Sequence, residues 1–226
     1  MNDALHQLLQ NPRVWRGTDQ AESPGRQGFT SGYPRLDRHL PGGGWPQHAL
    51  TEILLEHYGS GELKLLMPAL ARLSQAGDSD VQEPFTEPCH EPCNREAGWI
   101  AWIAPPFEPY PPALMQWGVN LSRVLIVRPK KTSETLWAAE QALSSGNCAA
   151  VLLWPEMLDD AASRRLQLAA EKGRSWAIAF RSLSALSQAS AAALRIKVTA
   201  GLNGTDLGIL KNRGGRPAVI HDYAAA

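Results

Sequence analysis

The sequence has no net charge, no long apolar run and few cysteines, and each absence excludes a class of protein. Its 226 residues carry 22 lysines and arginines against 22 aspartates and glutamates, so no global field recruits nucleic acid or a membrane surface. No uninterrupted apolar run approaches the roughly 20 residues of a membrane-spanning helix. Three cysteines, an odd and small number, do not indicate a disulfide framework.

The first residues also lack the features of a secretory signal. Residues 1–6 contain no basic region followed by an apolar core. We therefore expect a cytoplasmic protein of bacterial type, without a membrane partner. At 44% hydrophobic and 19% charged residues, the composition is that of a globular protein, and the length is enough for one sizeable core.

The chain divides into an N-terminal segment and one domain. Residues 3–10 carry leucines on one face of a short predicted helix, and residues 16–30 are polar and glycine-rich. Such a composition is typical of a flexible linker. We therefore expect residues 1–29 to be a helix with a linker and residues 30–226 to form a single domain.

A second segment, residues 78–97, interrupts the domain. It is acidic and rich in proline, with little to bury, so we expect a mobile surface insertion. Cys89, His90 and Cys93 within it are weak candidates for part of a zinc site, because a tetrahedral site needs a fourth ligand. Cys148 lies inside a strand pattern, and a solvated loop is the favoured interpretation.

Strands and helices alternate over most of the domain. Apolar runs at 49–55, 99–104, 124–127, 149–154 and 176–180 predict buried strands. Helices are predicted from 63 onward, at 111–118, and after caps at Thr132 or Ser133 and at Asp159 or Asp160. Pro68 is expected to kink the first helix or to leave one of its carbonyls without a partner. This order predicts an α/β fold with a mostly parallel twisted sheet flanked by helices.

The C-terminal region, residues 193–226, has a different pattern. Residues 183–192 before it are rich in alanine and serine and are expected to be helical. Residues 194–198 alternate apolar with basic, which predicts a half-buried strand. Asn203-Gly204 predicts a two-residue hairpin turn and an antiparallel return strand. A basic loop with glycines follows at 211–217.

The most informative stretch is the glycine turn after the strand at 49–55. Strand, glycine turn and helix is the setting of a phosphate loop, which reads G-x-x-x-x-G-K-[ST]. Here Gly61 is followed by Glu62 and Leu63, where that pattern needs the lysine and the magnesium-binding hydroxyl. A carboxylate repels a phosphate, and leucine cannot bind magnesium. Gly59, Ser60, Gly61, Glu62 and Leu63 are therefore either a phosphate loop without its chemistry or an ordinary strand-to-helix turn with two glycines.

Several motifs around this turn resemble a known family. Residues 30–37 and 41–46, followed by the strand and glycine turn, resemble the opening of the RecA-type recombinase core. The run from Trp15 to about Arg181 resembles ImuA, the RecA-like accessory proteins of bacterial translesion synthesis. Its most specific motifs are residues 41–46 and 137–143. Residues 99–181 are also similar to SulA, the cell-division inhibitors of the same group.

The resemblance implies a RecA-like core with a degenerate phosphate loop and no cofactor. The phosphate-loop lysine falls on Glu62 and the hydroxyl on Leu63. The catalytic glutamate falls on Pro106, with Glu108 two residues beyond it, and the metal-assisting aspartate falls on Trp154-Pro155. Phosphoryl transfer needs these groups together, so we expect no ATP hydrolysis.

The resemblance also implies partners. The expected function is a non-catalytic adaptor of the DNA damage (SOS) response that supports error-prone translesion synthesis. Its implied partners are the inactive polymerase-like protein ImuB, the RecA recombinase and an error-prone replicative-type polymerase, with self-association or indirect DNA contact as further options at the nucleoid. The candidate partner or DNA contacts are Lys211, Asn212, Arg213 and Arg216.

Two alternatives remain open at the sequence level. A SulA-like cell-division inhibitor that binds the tubulin-like division protein would share the same core. A nucleic-acid-binding module could instead stack bases on Trp45, Trp99 and Trp102. Trp99 and Trp102 lie in a buried-strand pattern, however, and the zero net charge argues against a strong electrostatic footprint.

Overall fold

A computed structural model of the protein describes residues 28–59, 61–75, 98–201 and 204–224. The predicted N-terminal helix, the insertion at 78–97 and Asn203 of the hairpin turn lie outside these ranges. Gly28 and Phe29, the last residues of the predicted linker, form a strand that pairs with Trp45–Pro46.

Ten strands are described. They are β1 (Gly28–Phe29), β2 (Trp45–Pro46), β3 (Leu50–Leu55), β4 (Trp99–Ile103), β5 (Val124–Val127), β6 (Cys148–Leu153), β7 (Trp176–Ser182), β8 (Leu194–Ala200), β9 (Thr205–Asn212) and β10 (Ala218–Ile220). β1 and β2 form a two-stranded ribbon. The other eight form one sheet in the order β10-β9-β8-β3-β7-β6-β4-β5.

The helices connect the strands of this sheet. They are α1 (Pro34–Asp37), α2 (Met67–Gln75), α3 (Pro111–Gln116), α4 (Thr132–Ser144) and α5 (Asp160–Gly173), with 3₁₀ turns at Leu121–Arg123 and Leu183–Ala185. β5, β4, β6, β7, β3 and β8 run parallel, whereas β9 and β10 are antiparallel to their neighbours. The predicted mixed α/β fold with a mostly parallel sheet is therefore confirmed, and so is the antiparallel pairing of β8 with β9.

The sheet buries both faces. On one face, side chains of β3 such as Ile53 and Leu55 pack with Leu66 and Leu70 around α2. On the other, small and branched residues of β4, β6 and β7 pack under α4 and α5. Two buried faces explain why the strands appear in the sequence as continuous apolar runs rather than alternating ones.

The helix after the glycine turn begins later than the sequence predicts. α2 starts at Met67, and residues 61–66 form tight turns in which the Leu66 N–H donates to the Leu63 carbonyl at 2.9 Å. Pro68 therefore lies in the first turn, where its missing N–H removes no helical hydrogen bond. The predicted kink at Pro68 is wrong for this reason.

Three further local predictions are wrong. Residues 183–192 form one 3₁₀ turn and otherwise have no helix, because tertiary contacts described below replace helical hydrogen bonding. The prediction that β8 is half-buried with its basic residues outward is also wrong, because the basic residue Arg195 is only 8% exposed. The predicted side-chain cap of α4 is absent as well, since Lys131 occupies the cap position without a side-chain hydrogen bond. Asp159 does cap α5, accepting the Ala162 N–H at 2.7 Å.

Candidate functional site

The turn after β3 contains two glycines and is not followed directly by a helix. Gly59 and Gly61 have φ of 85° and 95°, values that glycine adopts without a steric penalty. The Lys64 N–H donates to the Gly61 carbonyl at 3.0 Å, and α2 begins only at Met67. A phosphate loop binds its anion at a helix N-terminus directly after the glycines, and here several residues intervene. Ser60 lies outside the described residues.

Glu62 bonds back onto this turn. It is 3% exposed, and its Oε1 accepts the backbone N–H of Gly59 at 2.9 Å. Its Oε2 is buried without a hydrogen-bond partner among the described residues. The Glu62 carboxylate therefore uses a backbone N–H donor of the turn and places a negative charge there. Leu63 packs against the apolar core.

Burial and the Glu62 carboxylate also affect the ionisation of Tyr58. Burial raises the pKa of the Tyr58 hydroxyl, and the nearby Glu62 carboxylate raises it further. A negative charge at the turn disfavours a second one, whether a phenolate or a phosphate. A small cavity of about 310 Å³ is lined by Tyr58, by residues at the carboxyl ends of β3 and β7, and by Phe107, which follows β4.

The neighbouring strand ends carry no acidic group at the positions where a recombinase would need one. β4 is followed by Ala104, with φ of 54°, and then by Pro105 and Pro106. β6 is followed by Trp154, whose ring stacks on Phe180 with centroids 4.5 Å apart. Aromatic and proline side chains therefore occupy these ends of the sheet.

Glu108 does not reach back towards the glycine turn. Its carboxylate pairs with the Arg128 guanidinium at the surface, where both side chains are largely exposed.

The four basic-segment candidates do not share one environment. Lys211 and Asn212 are the last residues of β9 rather than loop residues, which corrects the predicted placement. The Lys211 ammonium donates to the Ser190 carbonyl at 2.7 Å. Its burial, followed by the charges of Arg213 and Arg195, lowers the pKa of Lys211. The Asn212 amide donates to the His39 carbonyl at 2.9 Å.

Arg213 and Arg216 are the exposed members of this group. The Arg213 guanidinium donates to the Ala191 carbonyl at 3.2 Å and lies 3.9 Å from the Glu171 carboxylate. The structure therefore leaves Arg213 and Arg216 as the accessible cations of the predicted contact.

Sequence reasoning missed a buried ion network in the centre of the sheet. Glu52 of β3 is fully buried, and its carboxylate accepts from Arg181 of β7 at 3.1 Å and from Arg195 of β8 at 2.9 Å. The Ser190 hydroxyl adds a third hydrogen bond at 2.6 Å. The sequence signal was a lone glutamate inside an apolar strand, because a buried carboxylate requires a partner.

The edge of the sheet formed by β5, at the far end from β10, exposes apolar side chains. β5 is an edge strand, and Leu125 and Ile126 are 46% and 38% exposed although successive strand residues point to opposite faces. Trp137 of α4, Met115 of α3 and Trp117 directly after α3 are also exposed. We call Leu125, Ile126, Met115, Trp117 and Trp137 the apolar edge. These exposed apolar side chains are candidate contacts for a partner.

The tryptophans proposed for base stacking are mostly buried. Trp45 and Trp102 are 0% and 2% exposed, so neither is accessible to a base. Trp99 is partly exposed, with the Arg123 guanidinium 6.0 Å from its ring centroid. The stacking hypothesis therefore loses two of its three residues.

The described residues contain neither a candidate metal cluster nor a helix that could span a membrane. Cys89, His90 and Cys93 lie outside the described residues. Within the described ranges, no group of three or more histidine, cysteine, aspartate or glutamate residues could hold a metal ion. The described helices include none that is both long and apolar enough to cross a membrane.

These observations define an α/β protein with a mostly parallel eight-stranded sheet and a central glycine turn bonded to its own glutamate. The family model described as "Cell division inhibitor SulA" matches residues 85–177. The cell division inhibitor SulA of Edwardsiella piscicida is 31% identical over 134 residues, which cover 58% of this chain and 79% of that protein. The chain therefore belongs to the SulA family.

Similarity extends to ImuA, a SulA-related protein. The protein ImuA of Caulobacter vibrioides is 32% identical over 144 residues, which cover 62% of this chain and 52% of ImuA. The chain thus spans about half the length of this relative. A crystal structure of SulA from Pseudomonas aeruginosa aligns with a TM-score of 0.42 and 28% identity, covering 58% of this chain and 97% of that one.

Proposed function

We propose that this protein is a non-catalytic adaptor of the DNA damage response that supports error-prone translesion synthesis. Its partners would be an ImuB-type polymerase-like protein, the RecA recombinase and an error-prone replicative-type polymerase. The similarity to ImuA supports this role, and so does the resemblance of the glycine turn to a phosphate loop that has lost its lysine, hydroxyl and base.

One observation carries the non-catalytic part of the proposal. The Glu62 carboxylate accepts the Gly59 N–H from within the turn and is buried there. A triphosphate at this place would meet a buried negative charge, and no lysine follows Gly61 to offset it. Electrostatic stabilisation of the transferred group is the main catalytic requirement of phosphoryl transfer. A RecA-like core of this kind would be retained for binding.

Two surfaces are available for the partners. The apolar edge offers hydrophobic contacts and β5, which pairs with β4 and is the last strand of the sheet among the described residues. Arg213 and Arg216 offer positive charge beside β9. Apolar contact supplies affinity, while charge at the rim speeds encounter with an acidic surface and makes it sensitive to salt.

The test of the binding role is a pull-down of ImuB-type and RecA partners with the full-length chain. We expect capture by the wild-type protein and loss of capture when Leu125 and Trp137 are both changed to Ser. The matched control changes Leu168, an exposed leucine of α5 away from the apolar edge, to Ser. Capture that is equal in all three proteins would exclude the apolar edge, and no capture by the wild type would exclude the adaptor role.

The non-catalytic part is tested separately by ATP turnover. We expect none above a buffer blank, for the wild type and for Glu62→Ala alike. Magnesium-dependent hydrolysis by the wild type that disappears in Glu62→Ala would overturn this part of the proposal and make Glu62 a catalytic residue.

A second candidate is a cell-division inhibitor. The match of the SulA family model and the 79% coverage of the Edwardsiella piscicida protein support it as well as the ImuA similarity supports the adaptor. This function also needs no catalysis, and its partner would be the tubulin-like division protein.

Over-expression in undamaged cells separates the two candidates. Filamentation without DNA damage supports the inhibitor, because a division block acts directly on cell length. Normal cell length together with a lower damage-induced mutation rate in a deletion strain supports the adaptor.

A further inference from the structure

A cavity of about 550 Å³ lies at the amino end of β3, opposite to the glycine turn. Such a volume is within the usual range for binding sites. Its walls come from the glycine-rich loop before β2, the residues leading into β3, the C-terminal part of α5, the start of β8 and the end of β9. The glycine turn and the apolar edge contribute no residue to its lining.

The charged and polar side chains in the walls are bonded within the protein. The Gln167 Nε2 donates to the Glu171 carboxylate at 2.6 Å, and Glu171 also lies 3.9 Å from the Arg213 guanidinium. His48 and Arg174 are not left without a partner either. A charged occupant would therefore gain little from these walls, because their charges are already paired.

The apolar part of the lining comes from the loop before β2, the entry to β3 and the start of β8. It consists of Leu40, Pro41, Pro46, Ala49, Ala193 and Leu194. Pro41 and Pro46 are only partly buried, so a further apolar group would cover their rings. Because the removal of apolar surface from water is favourable, the cavity suits apolar side chains.

The first residues that the structure describes lie beside this cavity. The Gly28 N–H donates to the Gly42 carbonyl at 3.3 Å, and Gly28 pairs with Pro46 of the lining. A Cβ built on Gly28 would lie 3.0 Å from the backbone N of Gly44, another lining residue. Residues 1–27 therefore join the described chain at the wall of the cavity.

The sequence of this N-terminal segment supplies apolar side chains. Leu5, Leu8 and Leu9 are three and four residues apart, which places them on one face of the helix predicted at residues 3–10. Residues 11–27 separate this helix from the cavity wall, and a flexible chain of that length spans roughly 20–25 Å. The leucines are therefore within reach of the cavity, at an effective concentration of about millimolar.

We propose that this cavity holds the apolar face of the chain's own N-terminal helix, with Leu5, Leu8 and Leu9 packed on its apolar lining. A helix about 10 Å across is too wide to enter whole, so only the leucine-bearing face enters. The contact involves neither the glycine turn nor the apolar edge. Its test is therefore independent of the pull-down and of the ATP turnover that test the proposed function.

A synthetic peptide of residues 1–15, labelled with a fluorophore, tests the contact by competition. It is titrated into the full-length wild type and into the full-length variant Leu5→Ser, Leu8→Ser, Leu9→Ser, with fluorescence anisotropy as the measurement. We expect saturable binding to the variant and about tenfold weaker binding to the wild type, whose own segment competes. The peptide with the same three substitutions is the control and should not bind. No binding to the variant, or equal binding to both proteins, would overturn the proposal.

A substitution in the wall then locates the contact. Gln47→Glu, made in the triple variant, adds a carboxylate to the lining. It should weaken binding of the peptide about tenfold, because that charge would be buried beside leucine side chains. Gln141→Glu, at an exposed position of α4, is the matched control and should leave binding unchanged. If Gln47→Glu binds the peptide as well as this control does, the peptide docks elsewhere and the proposal is wrong.

Proteolysis distinguishes the chain's own segment from that of a second copy. Trypsin cleaves after Arg13, which lies just beyond the predicted helix, and docking should slow this cleavage about fivefold or more relative to the triple variant. Protection that is equal at low and high protein concentration supports docking within one chain. Protection that grows with concentration assigns the docked segment to a second copy and contradicts the proposal, as does equal cleavage of the wild type and the triple variant.

Discussion

Two neighbouring parts of one sheet face are covered in different ways. Over β4, β6 and β7, helices α4 and α5 pack on small and branched apolar residues such as Ala101, Val151 and Ala177. Over the junction of β3 with β8, residues 183–193 provide the cover with only one 3₁₀ turn. A helix satisfies its own backbone, but an irregular segment needs partners from elsewhere.

The buried arginines supply those partners. Within this segment, Arg195 donates to the carbonyls of Ala185 at 2.8 Å and Gln188 at 3.3 Å, and Arg181 donates to the Gln188 side-chain oxygen at 2.5 Å. Arg181 also donates to the Leu158 carbonyl at 2.7 Å. A guanidinium has five N–H donors, so each arginine can bind Glu52 and backbone carbonyls at the same time. An apolar helix interface can therefore be replaced by a charged cluster where the backbone carbonyls of the covering segment need donors.

The largest expected effect is a loss of stability when the buried cluster of Glu52, Arg181 and Arg195 is broken. Glu52→Ala leaves two buried guanidinium groups without their carboxylate and should lower the free energy of unfolding by about 3–5 kcal/mol. Urea denaturation measures it. Glu140→Ala, which removes the surface pair with Arg165, should cost no more than about 1 kcal/mol. Equal losses in the two variants would mean that the network contributes no more than a surface pair.

Truncating a buried side chain in the apolar interface under α5 should lower stability almost as much. Leu166 of α5 is fully buried, whereas Leu168 on the same helix is 63% exposed. Leu166→Ala should cost about 2–5 kcal/mol by leaving a cavity, and Leu168→Ala should change stability by less than about 0.5 kcal/mol. The same denaturation experiment applies. A small effect of Leu166→Ala would show that α5 is held mainly by its polar contacts to residues 183–193.

A smaller effect is expected on association at the C-terminal side of the sheet. The double variant Arg213→Ala, Arg216→Ala should slow partner binding about tenfold at low salt and leave the melting temperature nearly unchanged. Surface plasmon resonance with the captured partner measures the rate. Arg165→Ala on the helix-covered side serves as the control. If the double variant associates as fast as this control, these cations are not part of the partner surface.

The smallest effect concerns acid sensitivity near β10. The hydrogen bond from His221, followed by the Asp222 N–H, lowers the pKa of Asp206 below its ordinary 3.8. A lowered carboxyl pKa stabilises the folded protein above the ordinary value, and that stabilisation is lost as the pH falls through the folded value. Asp206→Asn should therefore melt slightly lower than the wild type near neutral pH, with the difference vanishing in acid. A difference that persists in acid would assign it to packing.

The sequence by itself determined the order of strands and helices from residue 98 to 182. Continuous apolar runs of four to six residues and the caps between them depend on neighbours along the chain, so they are visible without a structure. It also revealed the glycine turn and the acidic residue within it, because the phosphate-loop pattern fixes which residue should follow Gly61.

Only the tertiary structure decided how the charges are used. Glu52 finds Arg181 and Arg195 at separations of 129 and 143 residues, and no local pattern encodes a pairing at that distance. The same long-range contacts replace a helix at 183–192 and bury Arg195 in β8. They also placed Lys211 and Asn212 in a strand, because a segment's exposure depends on what packs over it, which the order of residues alone does not state.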